Sequence, residues 1–199
     1  MTAYSLASMA TRLGLDRKAV IAAAIDIVDS QGAGALTMTR VADALGIRGP
    51  SLYAHVRGQL DLRRELWLWT VADLGDRLGE SVMGRSGEDA LLAFAAEFRD
   101  YARRYPGRYQ LTLDPPVPFD EEAAAVGRRA NGPFRAVLRS FDLDRSTAVH
   151  AGRALRAAVH GFVTLETQGS VGDRDNDESF RQLVELLARG LRESRAAGV

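Results

Sequence analysis

Between Thr37 and Arg57 the chain collects groups that can hold phosphates and reach base edges. They are the hydroxyls of Thr37, Thr39, Ser51 and Tyr53, the imidazole of His55, and the guanidinium groups of Arg48 and Arg57. Hydroxyl, imidazole and guanidinium groups all donate to phosphate oxygens, and arginine and serine also pair with bases exposed in a major groove. Catalytic chemistry is not assembled here. Ser51 and Ser81 lack a nearby base, the three histidines (His55, His150 and His160) are isolated, and neither an HExxH pair nor a phosphate-cradling glycine loop is present. Glu121 and Glu122 read as favourable charge at a helix start rather than as a catalytic pair. The chain is therefore read as a non-enzyme with no metal site and no cofactor.

The elements that must position these groups are marked by local signals. Asp16 can cap a helix to about Gln31, with Val20, Ala23, Ala24, Ile27 and Val28 on its inner face. Thr37 can cap a second helix, Met38 to Leu45, and Gly46 permits a left-handed turn after it. A third helix begins near Pro50, where the missing N–H costs nothing, and ends around Val56. Ala42 is small enough for close helix crossing, and Val41, Leu45, Ile47, Leu52 and Val56 are spaced to form a small core. Arg48, Gly49, Pro50, Ser51 and Ala54 then face outward. This is the layout of a helix-turn-helix head, with base-reading groups at the start of the third helix.

The run T-x-x-x-V-A-x-x-L-G-I-x-x-P-S-L-Y-x-H-V at Thr37–Val56 closely resembles the head of TetR-family transcriptional regulators, and the likeness extends over about Arg17–Leu66. The resemblance implies an all-α homodimer with an N-terminal three-helix DNA-binding head and a C-terminal ligand-binding and dimerisation body. It places Tyr53 and His55 at phosphates, and Thr39, Gly49, Pro50 and Ser51 at the base-reading surface. The lysine common just after the recognition helix is absent, and Arg57 or Gln59 stands in. Further on, AVHGFVTLETQG at Ala158–Gly169, followed by FRQLVELLARGL, resembles a C-terminal domain type named for a Trp-His-Gly motif. His160 and Gly161 match it, with Arg156 taken as the tryptophan position.

The rest of the chain reads as helical. Long helices are expected from about Gln59 to Ser81, from Ser86 to just before Tyr105-Pro106-Gly107, from Asp144 to about Ser170, and from Glu178 to Arg195. Leu113–Phe119 (LDPPVPF) is too proline-rich for a helix, and Gly132-Pro133 must kink or split the one that begins at Asp120. The expected division is an arm over 1–16, the head over 17–58 and the body over 59–199. Trp67, Phe98, Tyr101 and Phe134 are candidates to line an apolar effector cavity, with His160 and Thr164 as polar anchors and Arg156 as a partner for an anionic ligand. Each, taken singly, is also explained as plain core. Leu155, Val159 and Phe162 form one apolar stripe, and Leu183, Leu187 and Leu191 another. Paired across a two-fold axis they would build a four-helix dimer interface; packed within one chain they would be core.

Composition sets outer bounds. In 199 residues the net charge is zero, and cysteine is absent, so disulfides and thiolate metal sites are excluded. Zero net charge argues against indiscriminate polyanion binding but allows basic groups confined to one face. No apolar run approaches ~18 residues, and the N-terminus lacks a basic start followed by an apolar block. A cytoplasmic protein that does not engage a membrane is expected. The reading is a repressor that leaves a near-palindromic duplex operator when a small, largely apolar effector binds. The alternatives are an activator, a regulator that needs its ligand to bind DNA, or a helical protein-interaction module.

Overall fold

The computed structural model describes residues 16–116, 118–170, 172 and 175–196. Apart from Asp16, the expected N-terminal arm lies outside them. The described chain is all-α, with ten helices and no strand. In order they are α1 (Arg17–Gln31), α2 (Met38–Leu45), α3 (Gly49–Leu52), α4 (Gln59–Ser81), α5 (Gly87–Arg104), α6 (Pro106–Thr112), α7 (Glu121–Ala130), α8 (Gly132–Arg139), α9 (Arg145–Thr167) and α10 (Asn176–Ala196). A single 3₁₀ turn, Ala33–Ala35, follows α1.

The local signals act as their chemistry dictates. The Asp16 carboxylate accepts the Ala19 N–H at 2.8 Å, and the Thr37 hydroxyl accepts that of Arg40 at 3.2 Å. Asp144 caps α9 by accepting the N–H groups of Ser146 and Thr147 at 2.8 and 3.1 Å. Gly46 sits in the left-handed region at φ +66° and ends α2, with the Ile47 N–H closing back on the Ala42 carbonyl at 3.0 Å. The chain splits at Gly132-Pro133, α7 ending at Ala130 and α8 opening at Gly132.

The described residues form two compact units. The first comprises the residues up to Ala72 together with Tyr105–Val126; the second comprises Asp73–Arg104 and the residues from Gly127 onward. The first unit is built on α1. Val20, Ala24, Val28, Val41, Leu45, Leu52, Val56, Leu62 and Leu66 make one continuous apolar core, and Leu111 of α6 joins it. The expected inner face of α1 is buried, but so are Ala19, Ile21 and Ile25. The reason is α6. The sequence Tyr105-Pro106-Gly107 does not simply end a helix, because Pro106 opens a seven-residue helix that lies against α1. A Cβ at Gly107 would sit 2.5 Å from the Val28 carbonyl oxygen. Arg108 then grips Asp29 with both arms of its fork, Nε to Oδ1 at 2.8 Å, and its guanidinium lies 4.2 Å from the Tyr105 ring centroid and 4.9 Å from that of Trp69.

In the second unit, Leu91, Phe94, Phe98, Val137, Leu155, Val163 and Val184 are buried. One charged side chain joins them. Arg99, on the apolar face of α5, donates to Glu166 of α9 through Nε at 2.8 Å and Nη2 at 2.5 Å, and pairs with Asp177 of α10 at 2.8 Å. Its guanidinium also packs over Phe180 at 4.9 Å. Three helices therefore meet on one buried cation.

Gly107→Ala should lower stability by about 1–3 kcal/mol, because the methyl group must displace backbone rather than a flexible side-chain end. Gly34→Ala, where a Cβ meets nothing within 4 Å, is the control. Urea unfolding of both variants checks this, and equal midpoints would show that α6 yields without cost.

Candidate nucleic-acid interface

The head presents two different sides. Val41, Leu52 and Val56 are all but fully buried, and Ala42 and Leu45 nearly so. Thr37, Thr39, Arg48, Gly49, Pro50, Ser51, Tyr53 and Arg57 are exposed, and His55 is half-buried. Tyr53 is 58% exposed, a large aromatic residue left on the surface. The third helix is shorter than expected: Gly49–Leu52 is helical, and a turn follows. The His55 and Val56 N–H groups both donate to the Leu52 carbonyl, at 3.0 and 3.1 Å, so the backbone tightens there and Val56 still reaches the core. Gly58, at φ +143°, then turns the chain into α4.

The start of α4 is braced by groups that sequence reasoning missed. The Gln59 side-chain amide donates to the Leu36 carbonyl at 2.8 Å, so of the two substitutes for the missing lysine it is used internally, whereas the Arg57 side chain stays exposed. The Arg57 N–H donates to Asp61 at 3.0 Å. Arg17 pairs with Glu65 at 2.7 Å. Arg64 donates to Asp120 at 2.8 Å, Glu122 at 2.6 Å and Glu65 at 2.9 Å, and the hydrogen bond it gives to Asp120 is the main reason its guanidinium holds its proton more tightly than usual. The same bond holds the Asp120 carboxyl below the ordinary carboxylate range. The visible signal was the charge run Asp61–Glu65, but its partners lie far away in both directions, Arg17 before it and Asp114, Asp120 and Glu122 after it.

The effector candidates fall in both units. Phe98 meets His160 edge-on, ring centroids 4.6 Å apart, and Phe94 lies 5.5 Å from Phe134. Arg156 stacks over Phe134 at 5.2 Å and donates to the Asn131 side-chain oxygen at 2.5 Å. Tyr101 is 2% exposed, 5.7 Å beneath the Arg77 guanidinium, and Thr164 is half-buried. Trp67 belongs to the first unit, edge-on to Phe119 at 5.6 Å and packed with Leu68 and Ala123. Burial is the main cause of a depressed His160 pKa, about 4, with the Arg156 charge adding to it. The imidazole is accordingly neutral at pH 7.

The stripes on the last two helices divide differently from expectation. Leu155, Val159 and Leu191 are buried within their own unit. Phe162 is half-buried and packs on Phe180 at 5.1 Å, while Leu183 and Leu187 are half-buried. The large apolar groups left outward on α9 and α10 are Val149, Leu165 and Leu186, at 48%, 50% and 60% exposure. Periodicity identified which residues share a helix face, but the chain's own core takes one face of each helix.

An exposed reading turn on a sealed trihelical core defines the helix-turn-helix class. Residues 91–187 match the family model described as the tetracyclin repressor-like C-terminal domain; the Trp-His-Gly subtype is not part of that description. An uncharacterized HTH-type transcriptional regulator of Mycobacterium tuberculosis is 37% identical over 185 residues, covering 92% of this chain and 85% of that protein. The tetracycline repressor protein class A from transposon 1721, of Escherichia coli, is 33% identical over 208 residues, 91% of this chain and 92% of that one. Among solved structures, TetR from Acinetobacter baumannii has the same fold with a TM-score of 0.67 at 22% identity, covering 92% of this chain and 99% of that chain. The chain belongs to the TetR family of helix-turn-helix transcriptional regulators. Among the described residues, no helix is long and apolar enough to cross a membrane.

His160 generates a pH prediction. The unfolded chain takes up a proton near pH 6.5, while the folded chain refuses it until about pH 4. Acid therefore favours unfolding across that window, and stability present above pH 6.5 is lost as the pH falls, by at most about 3 kcal/mol from this group. His160→Phe, which keeps an aromatic partner for Phe98, should remove that part of the slope. Denaturant titrations at pH 4 to 7 check it, and an unchanged slope would show that the imidazole is not the group responsible.

Proposed function

We propose that this regulator is a homodimeric repressor that holds a near-palindromic operator and leaves it when a small, largely apolar molecule binds in the body. The observation that carries the reading is the two-sidedness of the head. Its apolar side is sealed by Val41, Leu45, Leu52 and Val56, while Arg48, Gly49, Pro50, Ser51 and Tyr53 are all exposed. In this reading Arg48, Ser51 and Thr39 meet base edges, and the backbones at Gly49 and Pro50 allow close approach. Thr37, Tyr53, His55 and Arg57 hold phosphates. Two copies associate through α9 and α10, where Leu165 and Leu186 are exposed and Leu183 and Leu187 half-buried. That association sets the recognition turns against half-sites about 34–36 Å apart. The ring cluster of Phe94, Phe98, Phe134 and His160 forms one wall for the effector, and effector binding moves α4 and so changes the spacing of the paired heads. Such a protein works in the cytoplasm and needs no cofactor.

The direct test is selection of bound sequences from a random duplex library at moderate salt. One near-palindromic motif is expected; nothing above background would overturn the repressor reading. With that motif in hand, Tyr53→Phe, His55→Ala and Arg57→Ala should weaken binding to all sequences alike. Arg57→Ala should also lower the salt slope of log affinity by about one. Arg48→Ala or Ser51→Ala should instead relax base preference, by roughly 1–3 kcal/mol for a lost bidentate contact. Equal loss of discrimination in both sets would refute the division of roles.

A further inference from the structure

We propose that Trp67 is the polar contact of an effector subsite: its indole N–H donates to an oxygen acceptor on a neutral aromatic ligand that takes the place of Phe119. The inference rests on the reading of the chain as a ligand-responsive regulator and concerns a site formed within the first unit alone, apart from the ring cluster of the second. Trp67 is 6% exposed, and its Nε1 atom has no hydrogen-bond partner among the described residues. A buried indole N–H normally finds an acceptor, because leaving it unpaired forfeits its hydration. The apolar side chains packed against it cannot serve. Val71, Ala123 and Val126 offer only apolar side chains, and Phe119 meets the indole edge-on at 5.6 Å.

Phe119 is a weakly held neighbour. It remains 53% exposed, so about half of its apolar surface gains nothing from being where it is. A ligand ring that displaced it would keep the edge-to-face contact and add the acceptor that Phe119 lacks. The ligand class follows from the surroundings. Arg63 is paired with Asp114, and Arg64 with Asp120 and Glu122, so an anionic group would find these cations taken. A carbonyl or ether oxygen on a flat, uncharged ring system suits the site.

The test uses the full-length chain without DNA and two probes: 6-propionyl-2-(dimethylamino)naphthalene, which carries a ketone acceptor, and 2-(dimethylamino)naphthalene, which lacks it. Phe119→Ala should tighten both probes, because the ring they must displace is gone. Trp67→Phe should weaken the ketone roughly three- to tenfold, the range of one hydrogen bond, and leave the parent probe unchanged. In the wild-type chain the Trp67 indole proton resonance should move downfield with the ketone and stay in place with the parent, a readout that needs no variant to fold. Equal weakening of both probes by Trp67→Phe, a stationary indole resonance, or no gain from Phe119→Ala would each overturn the proposal. Because no arm contains DNA, its failure leaves the operator reading standing, and failure to select an operator leaves this result standing.

Discussion

The approach of Gly107 to the Val28 carbonyl is the constraint on which the first unit depends. Only a residue without a side chain lets α6 lie this close to α1, and α6 in turn adds its cover to that of α4 over α1. A three-helix head of some forty residues would bury too little surface to be secure alone. Here Leu62, Leu66 and Leu111, all from beyond the recognition turn, complete the same core that holds Val41, Leu52 and Val56. The orientation of the reading turn is therefore set by residues far from it in sequence. The Arg108–Asp29 fork adds direction to that contact, since a planar guanidinium on a carboxylate tolerates little rotation.

The charged groups do two different kinds of work. Exposed pairs such as Arg85–Asp89, one turn apart on α5's approach, contribute a few tenths of a kcal/mol at most. Arg99 is another matter. With Arg99 and Glu166 side chains at 8% and 10% exposure, the pair is taken out of water, and its attraction largely offsets the cost of desolvation. Its value is geometric: the two Glu166 oxygens, the Asp177 carboxylate and the Phe180 ring meet the cation from α9 and α10 and so tie both to α5. Losing one partner would strand a buried charge, which is far more damaging than never having had the pair.

What was legible in the sequence is what is local. Asp16, Thr37 and Asp144 cap the helices they precede, Gly46 makes its left-handed turn, and the apolar spacing of the head predicts its buried set except for Ile47, which is half-buried. The caps and the turn act over four residues or fewer, and the spacing repeats at three to five. The illegible parts are those in which distant segments decide. Tyr105-Pro106-Gly107 reads as punctuation, because nothing nearby says that Gly107 is needed for contact rather than for a break. Leu155 and Val159 read as interface or core alike, since periodicity fixes a face without saying what covers it. At the site, the exposed residues followed from the head's pattern. The internal use of Gln59 and the bracing of Arg64 did not, because their partners, Leu36, Asp120 and Glu122, are set by the fold.

Zero net charge and DNA recognition are reconciled by where the acids are spent. Arg17, Arg63, Arg64 and Arg108 of the first unit each face a carboxylate, as do Arg99 and Arg103 of the second. Arg48 and Arg57 are exposed and carry no side-chain ion pair among the described residues. A sum over the chain counts the paired and the unpaired alike, so it reports nothing about the field at the recognition turn. What is exposed there is Arg48 and Arg57, with the Asp61 carboxylate engaged by the Arg57 backbone N–H. In the proposed reading, such a small patch steers and holds a duplex without the indiscriminate adhesion of a protein that is basic throughout.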